Sequence, residues 1–275
     1  MRTQLSTEQL YAAAPSIFAT EAFEGMSDQY RFVPTTDILS GLMDNGFFPV
    51  AANQTNTRKE ANKKFARHVI RFQHPDFNEN QNGEVPELVL LNSHNGTSSY
   101  QLMLGIFRMV CSNGLIVQSE SLQQTRVLHR GPEELVSDVI EASFEVVKEA
   151  PKVIAQIEQW KTIELENFER EKFALDAFKL RKSKIDVPAQ QLLRINRFDD
   201  QGNDVWRTMN VVQENIIRGK VRGWNGEDRW GRKKTRKVSG IKAVDADTKF
   251  NKKLWGLTEK MVEDKSSGNY TTLLH

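Results

Sequence analysis

Eight of the twenty-two residues from 219 to 240, GKVRGWNGEDRWGRKKTRKVSG, are Lys or Arg, five are Gly and two are Trp. Only Glu227 and Asp228 oppose that charge. Lys220, Arg222, Arg229, Arg232, Lys233, Lys234, Arg236 and Lys237 could neutralise phosphates, while Trp224 and Trp230 could stack on unpaired bases, at about 1–3 kcal/mol per base. The glycines would let backbone amides approach a phosphate closely. The same composition also suits a solvated loop whose tryptophans tuck back onto neighbouring helices, or a grip on an acidic protein face. The stretch is net +6 in a chain of net +2, so the remainder carries −4 and the positive potential is local.

A second basic block, RKEANKKFARHVIRFQH (58–74), sets six Lys/Arg against one Glu. Within it FARHVIRFQ alternates with period two, with Phe65, Arg67, Val69 and Arg71 on one side and Ala66, His68, Ile70 and Phe72 on the other. Lys64, Arg67 and Arg71 could line a groove beside the basic loop, or simply keep a sheet face soluble.

Catalytic chemistry has one candidate, the turn Asn92–Gly96 (NSHNG). There His94 could act as a base and Ser93 or Ser98 as a hydroxyl nucleophile. Asn, Ser and Gly are also what a tight turn needs for its own backbone bonding. Arg108, in an otherwise apolar strand, requires a partner, because a buried lone cation is costly. Cys111 reads as a small buried apolar residue. The chain has no Gly-rich phosphate loop ending in Gly-Lys-Ser/Thr, no HExxH and no paired Cys or His at metal spacing. We therefore expect no catalytic constellation, no metal and no cofactor.

The elements that must carry these residues predict an α+β protein, with an antiparallel sheet and helices in 1–130 and a mostly helical region in 131–275, packed as one unit. Thr35 or Thr36 can cap a helix over DILSGLMDN that stops at Gly46. FFPVAAN reads as extended. ELVLLNSHNGTSSYQLMLGIFRMVCSNGLIVQ reads as three strands with Asn-Gly turns, the middle one chosen over a competing helical period. Pro132 opens a helix with an apolar stripe of Leu135, Val136, Val139, Ile140, Phe144 and Val147. Pro151 should interrupt it, with a second helix running to about Lys184. PAQQLLRIN is a short helix, and Asp204 can cap DVWRTMNVVQENIIRG, which Gly219 ends. The basic stretch then lies between that helix and TKFNKKLWGLTEKMVED, as a loop or short hairpin.

At 275 residues, 39% hydrophobic and 27% charged, the composition is globular rather than disordered. The single cysteine excludes an internal disulfide and fits a reducing compartment. The start, MRTQLSTEQLYAAAP, lacks a signal peptide's apolar core, and no apolar run approaches the roughly 18 residues of a membrane span. A cytoplasmic location without membrane contact is expected.

The stretch LNSHNGTSSYQLMLGIFRMVCSNGLIV (91–117) resembles the central signature of a large uncharacterised family of phage, prophage and plasmid proteins, NSHDG followed by an apolar strand and FR-VCSNGL. TTDILSGLMDNGFFPVAA (35–52), NVVQENIIRG (210–219) and NKKLWGLTEKM (251–261) are similar to the same family. The residues that match are Asn92, Ser93, His94, Gly96, Arg108, Cys111, Asn113 and Gly114, with Asn95 where the family pattern often has Asp. The resemblance implies residence on mobile genetic elements in bacteria or their phages, among genes for DNA maintenance or antirestriction, and supplies no activity. Together these readings lead to an expectation of a nucleic-acid-binding accessory protein that holds, and could anneal, single-stranded DNA as a homo-oligomer. The alternative is an inhibitor of host restriction or defence that grips an acidic host protein.

Overall fold

A computed structural model describes residues 3–26, 30, 32–57, 59–77, 83–108, 114–116, 125–126 and 132–268. The chain divides into two compact units, Met1–Val153 and Ile154–His275.

The first unit is built on strands β1 (Phe48–Gln54), β2 (His68–Gln73), β3 (Glu84–Asn92), β4 (Gln101–Arg108), β5 (Gly114–Ile116) and β6 (Thr125–Arg126). They form one antiparallel sheet in the order β1-β2-β3-β4-β5, with β6 also pairing β4. The expected alternation in β2 holds: His68, Ile70 and Phe72 are buried, while Val69 and Arg71 lie on the half-exposed face. β3 is buried along its whole length, and β4 is a strand, not a helix. A central strand buried on both faces reads as a near-continuous apolar run, and LVLL is that run.

Helices α1 (Thr7–Ala13) and α2 (Thr35–Asp44) belong to this unit. The N-cap of α2 is Pro34, so neither Thr35 nor Thr36 caps it as expected. Thr35 instead turns its hydroxyl into the core, where buried groups need a partner. Gly41 lets α2 approach the next helix closely, since a Cβ there would stand 2.8 Å from Val136.

That helix, α3 (Pro132–Thr162), runs straight through Pro151. The expected interruption does not occur. Leu135, Val139, Val146, Ala150, Val153, Ile157 and Trp160 form one unbroken buried stripe, with Val136, Ile140, Phe144 and Val147 half-buried beside it. Pro151 itself faces outward. Continuous burial on one side outweighs the single hydrogen bond that proline removes on the other.

In the second unit, the helix expected to reach Lys184 is broken at Ile163–Glu166. Leu165 donates to the Asn203 carbonyl and Val205 to that of Ile163, and α4 (Asn167–Lys179) then starts afresh. Glu166 and Glu169 form its capping box. Glu169 is buried and accepts Lys265 Nζ on both oxygens at 2.7 Å. The short α5 (Ala189–Leu192), α6 (Val205–Arg218, capped by Asp204), the strands β7 (Arg222–Glu227) and β8 (Lys233–Lys237) and α7 (Val244–Ser266) complete the unit. α6 is buried on nearly every side, and Trp160 packs at 4.5 Å from Trp255 and 6.5 Å from Trp206.

Proline inside a helix costs up to about 3 kcal/mol. Pro151→Ala should therefore raise the stability of the protein by about 1–3 kcal/mol in urea unfolding. A loss of stability would contradict the unbroken α3.

Candidate nucleic-acid interface

The basic stretch folds as a hairpin whose shape is fixed by its backbone. At its base, Gly219 (φ +66) ends α6 and lies against Ser239 and Gly240, where a Cβ would stand 2.5 Å from a backbone nitrogen. Lys220 donates to the Val238 carbonyl and Val238 to that of Val221, with both valines buried. β7 and β8 pair antiparallel, Arg222 opposite Lys237 and Trp224 opposite Thr235. On the other edge of β7, Trp224 and Asp186 exchange both backbone hydrogen bonds, at 2.8 and 2.9 Å. Only a glycine fits at 223, because a Cβ would come within 2.0 Å of the Asp186 carbonyl oxygen. At the tip, Asp228 Oδ1 accepts the Trp230 and Arg232 amides and Oδ2 accepts Arg232 Nε. Those bonds, led by the Arg232 amide, hold its carboxyl below the usual carboxylate range. One of the two acids in the stretch is thus committed to shaping the turn.

Alternation along the ribbon puts Arg222, Trp224, Lys233 and Lys237 on one face and Lys234 and Arg236 on the other. Every residue of β8 is exposed. Trp230 is 63% exposed at the tip, with Arg229 and Arg232 against its ring at 4.0 and 4.8 Å, while Lys233 lies 4.4 Å from the half-buried Trp224 ring. Among the described residues, no carboxylate pairs with Lys220, Arg222, Lys233, Lys234, Arg236 or Lys237. The chemistry such a ribbon can do is electrostatic and π-stacking.

The other basic block belongs to the first unit and is mostly occupied. Lys64 is exposed on a 3-10 turn, Glu60–Phe65. Arg67 donates to the Thr97 carbonyl at 2.6 Å. Arg71 pairs with the buried Glu87 at 2.6 Å and lies over the Phe107 ring. The charge of Arg71 is thus matched inside the sheet, which a period-two reading cannot show, and we leave Arg71 out of the interface.

The turn Asn92–Gly96 is built as a turn: Gly96 has φ +70, Asn95 Oδ1 accepts from Thr97, and Ser93 Oγ accepts the Ser98 amide. Asn92 and His94 point inward, and the structure joins them to residues the motif does not contain. Thr35 Oγ1 lies 3.0 Å from His68 Nε2, 3.0 Å from His94 Nε2 and 3.2 Å from Asn92 Nδ2. His68 Nδ1 is 3.0 Å from Ser16 Oγ, which can donate or accept, and 3.2 Å from the Ala66 carbonyl, which can only accept, so we assign the proton to that nitrogen. Nε2 of His68 then accepts the Thr35 hydroxyl proton, leaving Thr35 to accept from His94 and Asn92. Tyr100 OH donates to the Val33 carbonyl beside them, and burial pushes its phenol well above the ordinary range. His94 Nδ1 has no hydrogen-bond partner among the described residues. All these side chains are buried, and the result is a neutral polar core rather than an open catalytic pair. The signal for His68 was its place on the apolar side of β2; nothing in the sequence pointed to Thr35 or Tyr100. Arg108 and Gly114 are backbone positions of β4 and β5, and Cys111 and Asn113 lie outside the described residues. Among the described residues, no group of three His, Cys, Asp or Glu could hold a metal ion, and no helix is long and apolar enough to cross a membrane.

Residues 22–255 match the family described as Domain of unknown function (DUF932), and the chain belongs to that family. Two proteins of Escherichia coli (strain K12), "UPF0380 protein YafZ" and "UPF0380 protein YfjQ", are each 35% identical to it over 260 residues, covering 94% of this chain and 92% of the relative. No solved structure matches it.

The buried network predicts a pH dependence. Burial, with the neighbouring His94 adding to it, pushes His68 down to about 3, and burial pushes His94 down to about 4. Unfolded, each would take up a proton near about 6.5. The unfolded chain therefore binds more protons below that value, so stability is complete above about pH 6.5 and is lost as pH falls toward the folded values. At about pH 5 each histidine should cost about 2 kcal/mol, at 1.4 kcal/mol per unit. Melting curves should drop between about pH 7 and 5, and drop less in His94→Gln; a curve flat across that range would refute a neutral network.

Proposed function

We propose that this protein binds nucleic acid through the hairpin of β7 and β8, with single strands as its preferred ligand. The observation that carries the reading is a ribbon exposed along β8, with six cations free of carboxylate partners and an exposed tryptophan at its tip. Phosphate contacts from Lys220, Arg222, Lys233, Lys234, Arg236 and Lys237 supply affinity without sequence preference. Trp230, with Arg229 and Arg232 close to its ring, is the stacking platform for an unpaired base. Trp224 contributes less, since most of its surface is already covered. No reaction is required of such a surface. Annealing of complementary strands, carried out by several copies together, is the activity it would serve, and the resemblance supports a setting on a mobile genetic element.

If about five phosphates are neutralised, affinity for a single-stranded oligonucleotide should fall roughly 10²-fold between 50 and 200 mM salt. Trp230→Ala should leave the melting curve unchanged, because the ring is mostly in solvent, and weaken single strands about ten-fold, which is 1.4 kcal/mol of stacking. Lys233→Glu with Lys234→Glu should weaken single and double strands alike. No binding at about 50 mM salt would overturn the proposal and turn attention to an acidic protein face as the partner of the same charges.

A further inference from the structure

A second basic feature of the same unit lies where β8 leads back into the fold. There a cavity of about 430 Å³ is walled by the end of α4, the segment after the hairpin and the start of α7. This volume falls within the range of about 300–1,000 Å³ typical of small-molecule sites. Its lining divides by chemistry. Leu180, Ile241 and the buried Phe250 give an apolar floor, and Arg181, Lys182, Lys242, Lys249 and Lys253 stand around it. No acidic residue lines it. Lys249 is held from the side by Asp245 at 2.8 Å; among the described residues Lys182, Lys242 and Lys253 have no carboxylate partner.

Two features fix this arrangement. Arg181 donates to the Ile216 carbonyl and to Ser239, tying the cavity wall to the end of α6 and the return of the hairpin. Lys182 follows it with a left-handed backbone (φ +53), a conformation that a non-glycine residue adopts only when its surroundings hold it there. The start of α7 adds the dipole of its first amides, opposed by Asp245 and Asp247 in its first turn. Its N-cap, Ala243, lines the cavity and has no side chain that could satisfy the first amides of the helix. Like charges crowded around one hollow repel each other, and a bound anion removes that cost.

From the cationic rim above an apolar floor we infer that this cavity binds a nucleotide through its phosphate, with the base resting on Phe250, Ile241 and Leu180. The nucleotide can be free, or it can be the phosphorylated end of a strand lying on the hairpin. Only Val238 to Ile241 separate the last hairpin cation, Lys237, from Lys242 at the cavity. The strand-end source rests on the nucleic-acid reading above, whereas the free-nucleotide source stands without it.

The test compares three probes on the full chain: a 5′-phosphorylated oligothymidylate, the same oligomer with a 5′-hydroxyl, and thymidine monophosphate. A strand-end site predicts about ten-fold tighter binding of the phosphorylated oligomer; a free-nucleotide site predicts saturable binding of the monophosphate. Either response should vanish in Lys242→Glu with Lys253→Glu, two exposed positions, and in Ala246→Phe, which fills the cavity without changing its charge. It should survive for the monophosphate in Lys233→Glu with Lys234→Glu, so that failure of the hairpin and failure of the cavity are read separately. Equal binding of the two oligomers together with no binding of the monophosphate would overturn the inference.

Discussion

Eight cations on a ribbon of twenty-two residues repel one another, so the hairpin has to be held by its main chain. That constraint explains its construction. The exchange of backbone bonds between Asp186 and Trp224 makes β7 the inner strand, and the missing side chain of Gly223 permits that approach. Val221 and Val238 bury the base, and Asp228 ties the tip to the amides of Trp230 and Arg232. With the backbone closed at base, edge and tip, the lysines and arginines other than Arg232 need no internal partners. Their charge stays available to a polyanion, and losing the Asp186 pairing would release the surface as well as the strand.

The two units handle polar chemistry in opposite ways. In the first, polar groups are turned inward and matched: Arg71 with Glu87, and Thr35 with His68, His94 and Asn92. Burial keeps both imidazoles neutral, so the network specifies how α2 meets the sheet without placing a charge in the core. In the second, buried polar groups are also paired, as in Gln213 with Asn251 and Glu169 with Lys265, but most of the cations at the hairpin and several at the cavity have no carboxylate partner among the described residues. The family motif Asn92–Gly96 thus belongs to the architecture of the first unit, and the binding chemistry we propose would belong to the second.

Much of this was legible in the sequence where one physical signal dominated. Period two identified the inward face of β2, the Asp204 cap and the Gly219 stop identified α6, and the run of charge with glycine and tryptophan marked the hairpin. Legibility failed where a residue serves a distant partner. A threonine at a helix start reads as a cap, and only the fold brings two histidines to Thr35. Arg71 reads as a free cation until β3 sets Glu87 beside it. Pro151 reads as a break because the continuing apolar stripe, the stronger effect, is spread along the 31 residues of α3. The cavity draws its lining from 180–182 and 240–253, so no local window contains it.

The central claim is that the hairpin is the surface that meets the ligand, and its tryptophans report on that directly. Of the five indoles, Trp160, Trp206 and Trp255 are buried in one cluster, while Trp224 and Trp230 belong to the ribbon. In an NMR titration with a single-stranded oligonucleotide, the indole N–H signals of Trp230 and, to a lesser degree, Trp224 should shift, with those of the buried three unmoved. Binding that leaves the Trp230 signal in place would contradict the account.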